Sequence, residues 1–218
     1  MDRHVILFDW DGTLADNYDV IKNGINRVFG HFSMPQWSDE DAKKNIRLTA
    51  RDLYNGLFTN PDDVDTALKI YLSYVEDNHL DIVKPIDGAG DFIRKLHDAG
   101  HVLGIVSNKT QRFLDREVQK LGWQGMFDVV IGAGTAKHDK PQPDSINLAL
   151  ETLKVSAQQA VYVGDTETDM VAAKNAMVKS VFVTYGLGNA DDLKKTVFTA
   201  QMPIICNNYN ELYEALTL

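Results

Sequence analysis

The sequence predicts an α/β fold in which a parallel sheet carries helices on both faces and a helical domain is inserted after the first strand. Three observations carry that prediction. Short apolar runs without polar alternation occur repeatedly, the pattern of strands covered on both faces. Helical apolar periodicity separates them, giving a strand, helix, strand rhythm. One long stretch near the N-terminus breaks the rhythm with helical periodicity alone.

Val5 to Phe8 is the first apolar run and stops abruptly at Asp9. The stretch from 16 to 84 then shows no convincing buried strand. Tyr18, Ile21, Ile25, Val28 and Phe29 fall on one helical face and Val64, Leu68, Tyr71, Leu72 and Val75 on another, with Pro35 and Pro61 marking breaks between helices. We therefore expect a core made of residues 1–15 and 85–218 and a helical cap domain at 16–84. The hinges of a mobile cap would lie near Asp16 to Tyr18 and Lys84 to Gly88. After the insert come a helix over Ala89 to Ala99, a strand over Val102 to Val106, a helix over Gln111 to Leu121 and a strand over Val129 to Ile131. A helix over Asp144 to Leu153, a strand over Val161 to Val163 and a helix over Thr168 to Ala176 follow, with weaker strands at Val181 to Val183 and Ile204 to Ile205. These elements predict a Rossmann-like three-layer core.

The composition of the 218 residues, 44% hydrophobic, 24% charged and 9% aromatic, is that of a globular chain and excludes a disordered or low-complexity one. Lys and Arg number 22 against 31 Asp and Glu, a net charge of -9, which argues against a general grip on nucleic-acid phosphates. Cys206 is the single cysteine, so neither an intramolecular disulfide nor a multi-cysteine zinc site is available. The six histidines lack metal-binding spacing, so any metal is expected to be held by oxygen. No apolar run approaches the roughly 20 residues that span a bilayer, and acidic residues cut short the apolar opening before it could serve as a signal peptide. A soluble, cytoplasmic protein without membrane or nucleic-acid partners is expected.

Open parallel sheets bind ligands just beyond the carboxyl ends of their strands, and the polar clusters of this chain fall there. Asp9-Trp10-Asp11-Gly12-Thr13 follows the first strand, Ser107-Asn108-Lys109 the second, and Gly164-Asp165-Thr166-Glu167-Thr168-Asp169 the fourth, with Lys140-Pro141 in the loop after the third. If these loops converge, several carboxylates meet one lysine and one hydroxyl. Crowded carboxylates raise one another's pKa, so the set calls for a hard divalent cation with oxygen ligands, best matched by Mg2+. Lys140 adds a fixed positive charge, and Ser107 with the backbone N–H of Asn108 adds donors for phosphate oxygens. The composite suits a phosphoryl group. Asp9 is placed to attack phosphorus and Asp11 to move the proton of the leaving oxygen and of the incoming water. Gly12 lets the chain turn away and Thr13 offers a further hydrogen bond.

These residues resemble the haloacid dehalogenase superfamily: DWDGTLAD, Ser107 with Asn108-Lys109, Lys140-Pro141 and GDTETD are similar to its four motifs, in order, across about residues 5 to 185. The resemblance is closest to the phosphatase branch with a helical cap after the first motif, typified by phosphoglycolate phosphatase and beta-phosphoglucomutase. It implies Asp9 as nucleophile and Mg2+ ligand, and Asp11 as general acid and base whose backbone carbonyl also binds the metal. Ser107 and Lys140 would hold the transferring phosphoryl, Asp165 would bind the metal, and Asp169 would orient it or its waters. Asp11 favours phosphorus chemistry, because dehalogenases of the family lack an aspartate at that place. Asn17, the absence of glycine in Lys174-Asn175-Ala176-Met177 and the long tail from Asp191 to Pro203 depart from the pattern.

Plainer readings stand beside these. Thr166 and Asp169 have capping-box spacing, so GDTETD also serves to start a helix. Lys137 competes with Lys140 for the phosphate, Lys109 reads as a surface charge, and Trp10 as packing. In the insert, Lys43, Lys44, Arg47 and Arg51 form a basic stretch. Arg47 and Arg51, four apart, would share a face of a continuous helix and are the candidates for binding an anionic group of the substrate. The sequence thus predicts a Mg2+-dependent phosphatase acting on a small phosphorylated metabolite, phosphoglycolate-like, through a phospho-aspartyl intermediate. A phosphomutase acting on a sugar phosphate is the alternative. A phosphonate hydrolase lacks an assignable Schiff-base lysine, and a non-catalytic binding module on the same fold leaves the full set of polar residues unexplained.

Overall fold

The computed structural model describes residues 4–46, 49–188, 193 and 202–217. The chain forms two compact units, one of Met1–Asp16 with Lys84–Leu218 and one of Asn17–Val83.

The larger unit is built on a six-stranded sheet. Its strands are β1 (Val5–Phe8), β4 (Val102–Thr110), β5 (Val129–Ala133), β6 (Ala160–Gly164), β7 (Lys179–Val183) and β8 (Ile204–Cys206), in the order β5-β4-β1-β6-β7-β8. Every pairing in it is parallel. The central strand β1 is fully buried, as its unbroken apolar run VILF requires. Leu7 faces a core with Val106, Ile131, Ile146, Tyr162, Met170 and Phe182, while Phe8 meets Phe92 edge-on, with ring centroids 6.1 Å apart. Helices α5 (Ala89–Asp98), α6 (Gln111–Lys120), α7 (Asp144–Leu153), α8 (Glu167–Asn175) and α9 (Tyr209–Thr217) complete the layers. This is the expected parallel, Rossmann-like three-layer architecture.

Two details depart from the sequence pattern. The second long strand does not stop at Val106 but runs to Thr110, with a shift in its pairing to β5 between Val106 and Thr110. Such an irregularity re-aims side chains at a strand end, and it falls on Ser107, Asn108 and Lys109. The insert boundaries also move inward by one residue at each end. Asp16 and Lys84, expected inside the insert, belong to the short antiparallel strands β2 (Ala15–Asp16) and β3 (Lys84–Pro85), where they pair with each other and form an ion pair of 3.2 Å.

The smaller unit holds α1 (Tyr18–His31), α2 (Asp39–Asn45), α3 (Ala50–Leu57) and α4 (Pro61–Ile82). Ile25, Val28 and Phe29 of α1 pack with Tyr54 of α3 and Val64, Ala67 and Leu68 of α4. Caps set the starts: Ser38 and Asp41 form a capping box, Thr49 accepts from Asp52 N–H, and Asn60 precedes Pro61 at the first turn of α4. The basic stretch is therefore not one continuous helix, because α2 ends at Asn45 and Thr49 caps a new one. Arg47 lies outside the described residues. Arg51 is exposed and sits 3.9 Å from Asp65.

Gly104 lies opposite Leu7 on one side and Val129 on the other. A Cβ there would stand 2.6 Å from Leu7 Cδ2 and 2.7 Å from Val129 Cγ1, so both neighbours use the space a side chain would fill. Gly104→Ala is expected to destabilise the fold by about 1–3 kcal/mol, lowering the Tm by roughly 2–4 °C per kcal/mol in a thermal melt.

Candidate active site

Asp9 is the first residue beyond β1 and continues its pairing, its N–H donating to Val163 O at 2.8 Å. Asp165 is the first residue beyond the neighbouring strand β6. Asp169 sits in the first turn of α8, fixed by the capping box with Thr166: its Oδ2 accepts from Thr166 N–H at 3.0 Å and from the Thr166 hydroxyl at 2.6 Å. Capping thus places the carboxylate within the cluster. Asp9, Asp165 and Asp169 are all buried, with one oxygen of each lying within 4.8 Å of the others.

Lys140 enters this acidic group from the loop before α7. Its Nζ lies 2.6 Å from Asp169 Oδ1 and 2.8 Å from Asp9 Oδ1, and donates to the Tyr162 hydroxyl at 2.8 Å. The backbone of Lys140 is held from β4: its N–H donates to Asn108 Oδ1 and its carbonyl accepts from Asn108 Nδ2, both at 2.9 Å. Lys137 is exposed, so Lys140 is the lysine of the cluster.

Burial pushes the Asp9 carboxyl up from 3.8 to about 7, the negative charge of Asp169 adds to this, and Lys140 opposes it. Asp165 is raised well above its ordinary value, first by burial and then by Asp169 and Asp9. Burial alone would lower the Lys140 ammonium, but the charges of Asp169 and Asp9 outweigh it and raise its pKa. Three buried carboxylates with one ammonium between them keep an excess of negative charge, so the donor set fits a hard divalent cation such as Mg2+. Asp9 and Asp165 are carboxylates that could hold it, with the backbone carbonyl of Asp11 as the further ligand the family resemblance implies. Both oxygens of Asp169 are already engaged, Oδ2 by Thr166 and Oδ1 by Lys140. That favours an orienting part for Asp169 over a direct bond.

The loops leave Asp165 little room. Gly12 has φ +84°, and a Cβ on Gly12, Gly186 or Gly188 would overlap Asp165. Leu187 N–H donates to Asp165 Oδ2 at 2.7 Å and the Thr13 hydroxyl to Asp165 Oδ1 at 3.1 Å. The further hydrogen bond that Thr13 offers goes to Asp165 in this structure, and the residue is fully buried. Asn108 spends its side chain on Lys140, so its expected contribution rests on its backbone N–H. Ser107 is buried at the same strand end, its Oγ accepting from Lys109 N–H at 3.3 Å.

Lys109 is not a surface charge. Its side chain is 6% exposed, and its Nζ reaches Asp11 Oδ1 at 3.1 Å and Glu117 Oε1 at 3.1 Å. Glu117 and Tyr162 are the polar residues that sequence reasoning missed. Each left a trace: Glu117 falls on the helix face of Phe113, Leu114 and Val118, and Tyr162 interrupts an apolar strand with a hydroxyl that needs a partner.

The model of the haloacid dehalogenase-like hydrolase family matches residues 6–183 of the chain. The chain belongs to this family. It is a hydrolase, and the match embraces Asp9, Asp11, Ser107, Lys140, Asp165 and Asp169. A relative from Listeria monocytogenes serotype 4b, the pyrophosphatase PpaX, is 30% identical over 190 residues, covering 86% of each chain. Among solved structures, a haloacid dehalogenase-like hydrolase from Streptococcus pneumoniae superposes with a TM-score of 0.86 at 22% identity, covering 98% of both chains. A protein from Lactobacillus delbrueckii subsp. bulgaricus, described provisionally as a phosphoglycolate phosphatase, gives 0.85 at 24% identity over 99% of both. At those identities the structural likeness speaks for the fold. Among the described residues, no helix is long and apolar enough to cross a membrane.

The raised Asp9 carboxyl has a sign that can be measured. Between its unfolded value of 3.8 and about 7 the folded protein binds the extra proton, so this group's contribution to stability falls as pH rises through that window. Asparagine does not titrate. In metal-free buffer the Tm of Asp9→Asn relative to the parent should therefore climb between pH 5 and pH 8, and millimolar Mg2+ at pH 8 should raise the parent's Tm more than the variant's. A Tm difference that stays flat with pH would show that Asp9 is not held in this state.

Proposed function

We propose that the protein is a Mg2+-dependent phosphatase that hydrolyses a small phosphorylated metabolite through a phospho-aspartyl intermediate on Asp9. The observation that carries this reading is the Lys140 ammonium held between Asp9 and Asp169 at the carboxyl ends of the central strands. A carboxylate steadied by a neighbouring cation, on a rigid strand end, suits in-line attack on phosphorus.

In the first step an Asp9 oxygen bonds to phosphorus while the bond to the ester oxygen breaks. Asp11 gives that oxygen a proton, so the alcohol leaves neutral. In the second step Asp11 takes a proton from water as the water oxygen attacks phosphorus, and Asp9 departs as a carboxylate, releasing inorganic phosphate. Ser107 and the backbone N–H of Asn108 donate to the phosphoryl oxygens, and Lys140 offsets their charge. Mg2+, when bound through Asp9, Asp165 and the Asp11 carbonyl, supplies further neutralisation of those oxygens.

The family resemblance favours a phosphoglycolate-like substrate, and the name of the Listeria relative supports testing pyrophosphate as a second candidate. A panel of 2-phosphoglycolate, pyrophosphate and sugar phosphates, with phosphate release measured in Mg2+, tests the reading. Release should match substrate consumed, EDTA should abolish it, and Asp9→Asn should lower kcat by about 10³-fold or more. The parent, quenched during turnover, should carry a hydroxylamine-labile phosphoryl group. An active Asp9→Asn would remove the nucleophile assignment, and isomerised sugar phosphate without phosphate release would redirect the reading to a mutase.

A further inference from the structure

Glu117 is fully buried on α6, among the apolar side chains of Phe113, Leu114 and Val118. A carboxylate there is costly, and an apolar residue of similar size would suit those neighbours better. What it does instead is hold two groups from elsewhere in the chain. Its Oε2 accepts from Trp10 Nε1 at 2.7 Å, and its Oε1 lies 3.1 Å from Lys109 Nζ. The Lys109 ammonium in turn donates to both oxygens of Asp11, at 3.1 and 3.4 Å. Trp10 is itself fixed edge-on against Trp123, with ring centroids 5.6 Å apart.

Two consecutive residues of the loop after β1 are thus tied to one carboxylate, Trp10 directly and Asp11 through an ammonium. The tie begins one residue after Asp9. A lysine on a flexible stem is a poor positioning device unless its far end is anchored, and Glu117 is the anchor. We propose that Lys109, anchored by Glu117, is a positioning residue that sets the orientation of the Asp11 carboxyl for proton transfer to the leaving oxygen. The inference rests on the proposed proton-transfer role of Asp11. It adds that α6, which contributes no group to the carboxylate cluster, governs that role.

Leaving-group dependence separates positioning of an acid from general structural support. An alkyl phosphate needs its leaving oxygen protonated as the bond breaks; 2,4-dinitrophenyl phosphate releases a stable phenolate without help. The quantity to compare is kcat/KM, which reports steps up to the first irreversible one and so excludes hydrolysis of the intermediate. Removing Lys109 alone would take a buried ammonium away from the Glu117 carboxylate, so the variant is Lys109→Met combined with Glu117→Gln, which removes both charges and keeps an acceptor for the Trp10 indole. Its kcat/KM should fall about 30-fold or more on the alkyl ester and stay within about threefold on the dinitrophenyl ester. In an Asp11→Asn background the same pair of changes should add almost nothing.

Equal losses on the two esters, no loss on either, or losses that add fully to those of Asp11→Asn would overturn the inference. If the combined variant does not fold, Glu117→Gln alone is put through the same comparison with the same expected selectivity. An inactive parent would end the phosphatase reading and this inference together, whereas an active parent with an unselective variant would end the inference alone.

Discussion

One buried ammonium holds the site together. Lys140 Nζ is shared by Asp9 and Asp169 and braced by the Tyr162 hydroxyl, which also donates to Val106 O at 2.8 Å. These contacts join the end of β1 with β4 and β6 to the first turn of α8, and Asn108 fixes the lysine backbone against β4. The sheet order makes this possible, since β4, β1 and β6 are neighbours. Removing Lys140 would leave the buried carboxylates without this ammonium, a loss on the order of 3–5 kcal/mol in comparable pairs. The ion pair and the sheet register therefore support each other: the register brings the groups together, and the groups have little reason to be buried in any other register.

The strands were legible because a two-sided parallel sheet leaves an unmistakable pattern of unbroken apolar runs, as in Val5 to Phe8. The strand ends were not, because the irregularity between Val106 and Thr110 depends on pairing with β5 and has no local signature. The acidic residues of the site were legible from spacing and from their places after strands. Their partners were harder to see. Glu117 lies 107 residues from Trp10, and Thr13 lies 152 from Asp165. A polar residue on an apolar face says that a partner exists without saying which one. Lys109 looked like a solvated charge because nothing nearby in sequence shows that it reaches Asp11 and Glu117.

Asp165 shows a second kind of constraint, imposed by space. Three glycines, one in the loop after β1 and two in the loop after β7, lie where any side chain would overlap it. The left-handed φ of Gly12 explains one of them locally. Gly186 is explained by the close approach of backbone to the carboxylate, where Leu187 N–H also reaches it, and Gly188 by close approach to the backbone carbonyl of Asp165. The loops are packed around the acid, and the hydroxyl of Thr13 is spent on it as well.

These devices share an energetic logic. Asp165 and Asp169 are held by fixed donors and Asp9 by the Lys140 ammonium, yet Asp9 and Asp165 remain raised above their ordinary values because burial and mutual repulsion exceed what these partners return. A core made only for stability would replace such a cluster with apolar side chains. Keeping it means that the folded chain stores an electrostatic deficit at one end of its sheet, and that deficit is the binding energy available to a cation and to the positive charge it brings. A phosphoryl group would reverse the balance if no cation accompanied it. On the proposed reading the acidic cluster would take the cation, and Lys140 with the donors of Ser107 and Asn108 would take the phosphoryl group that the cation brings.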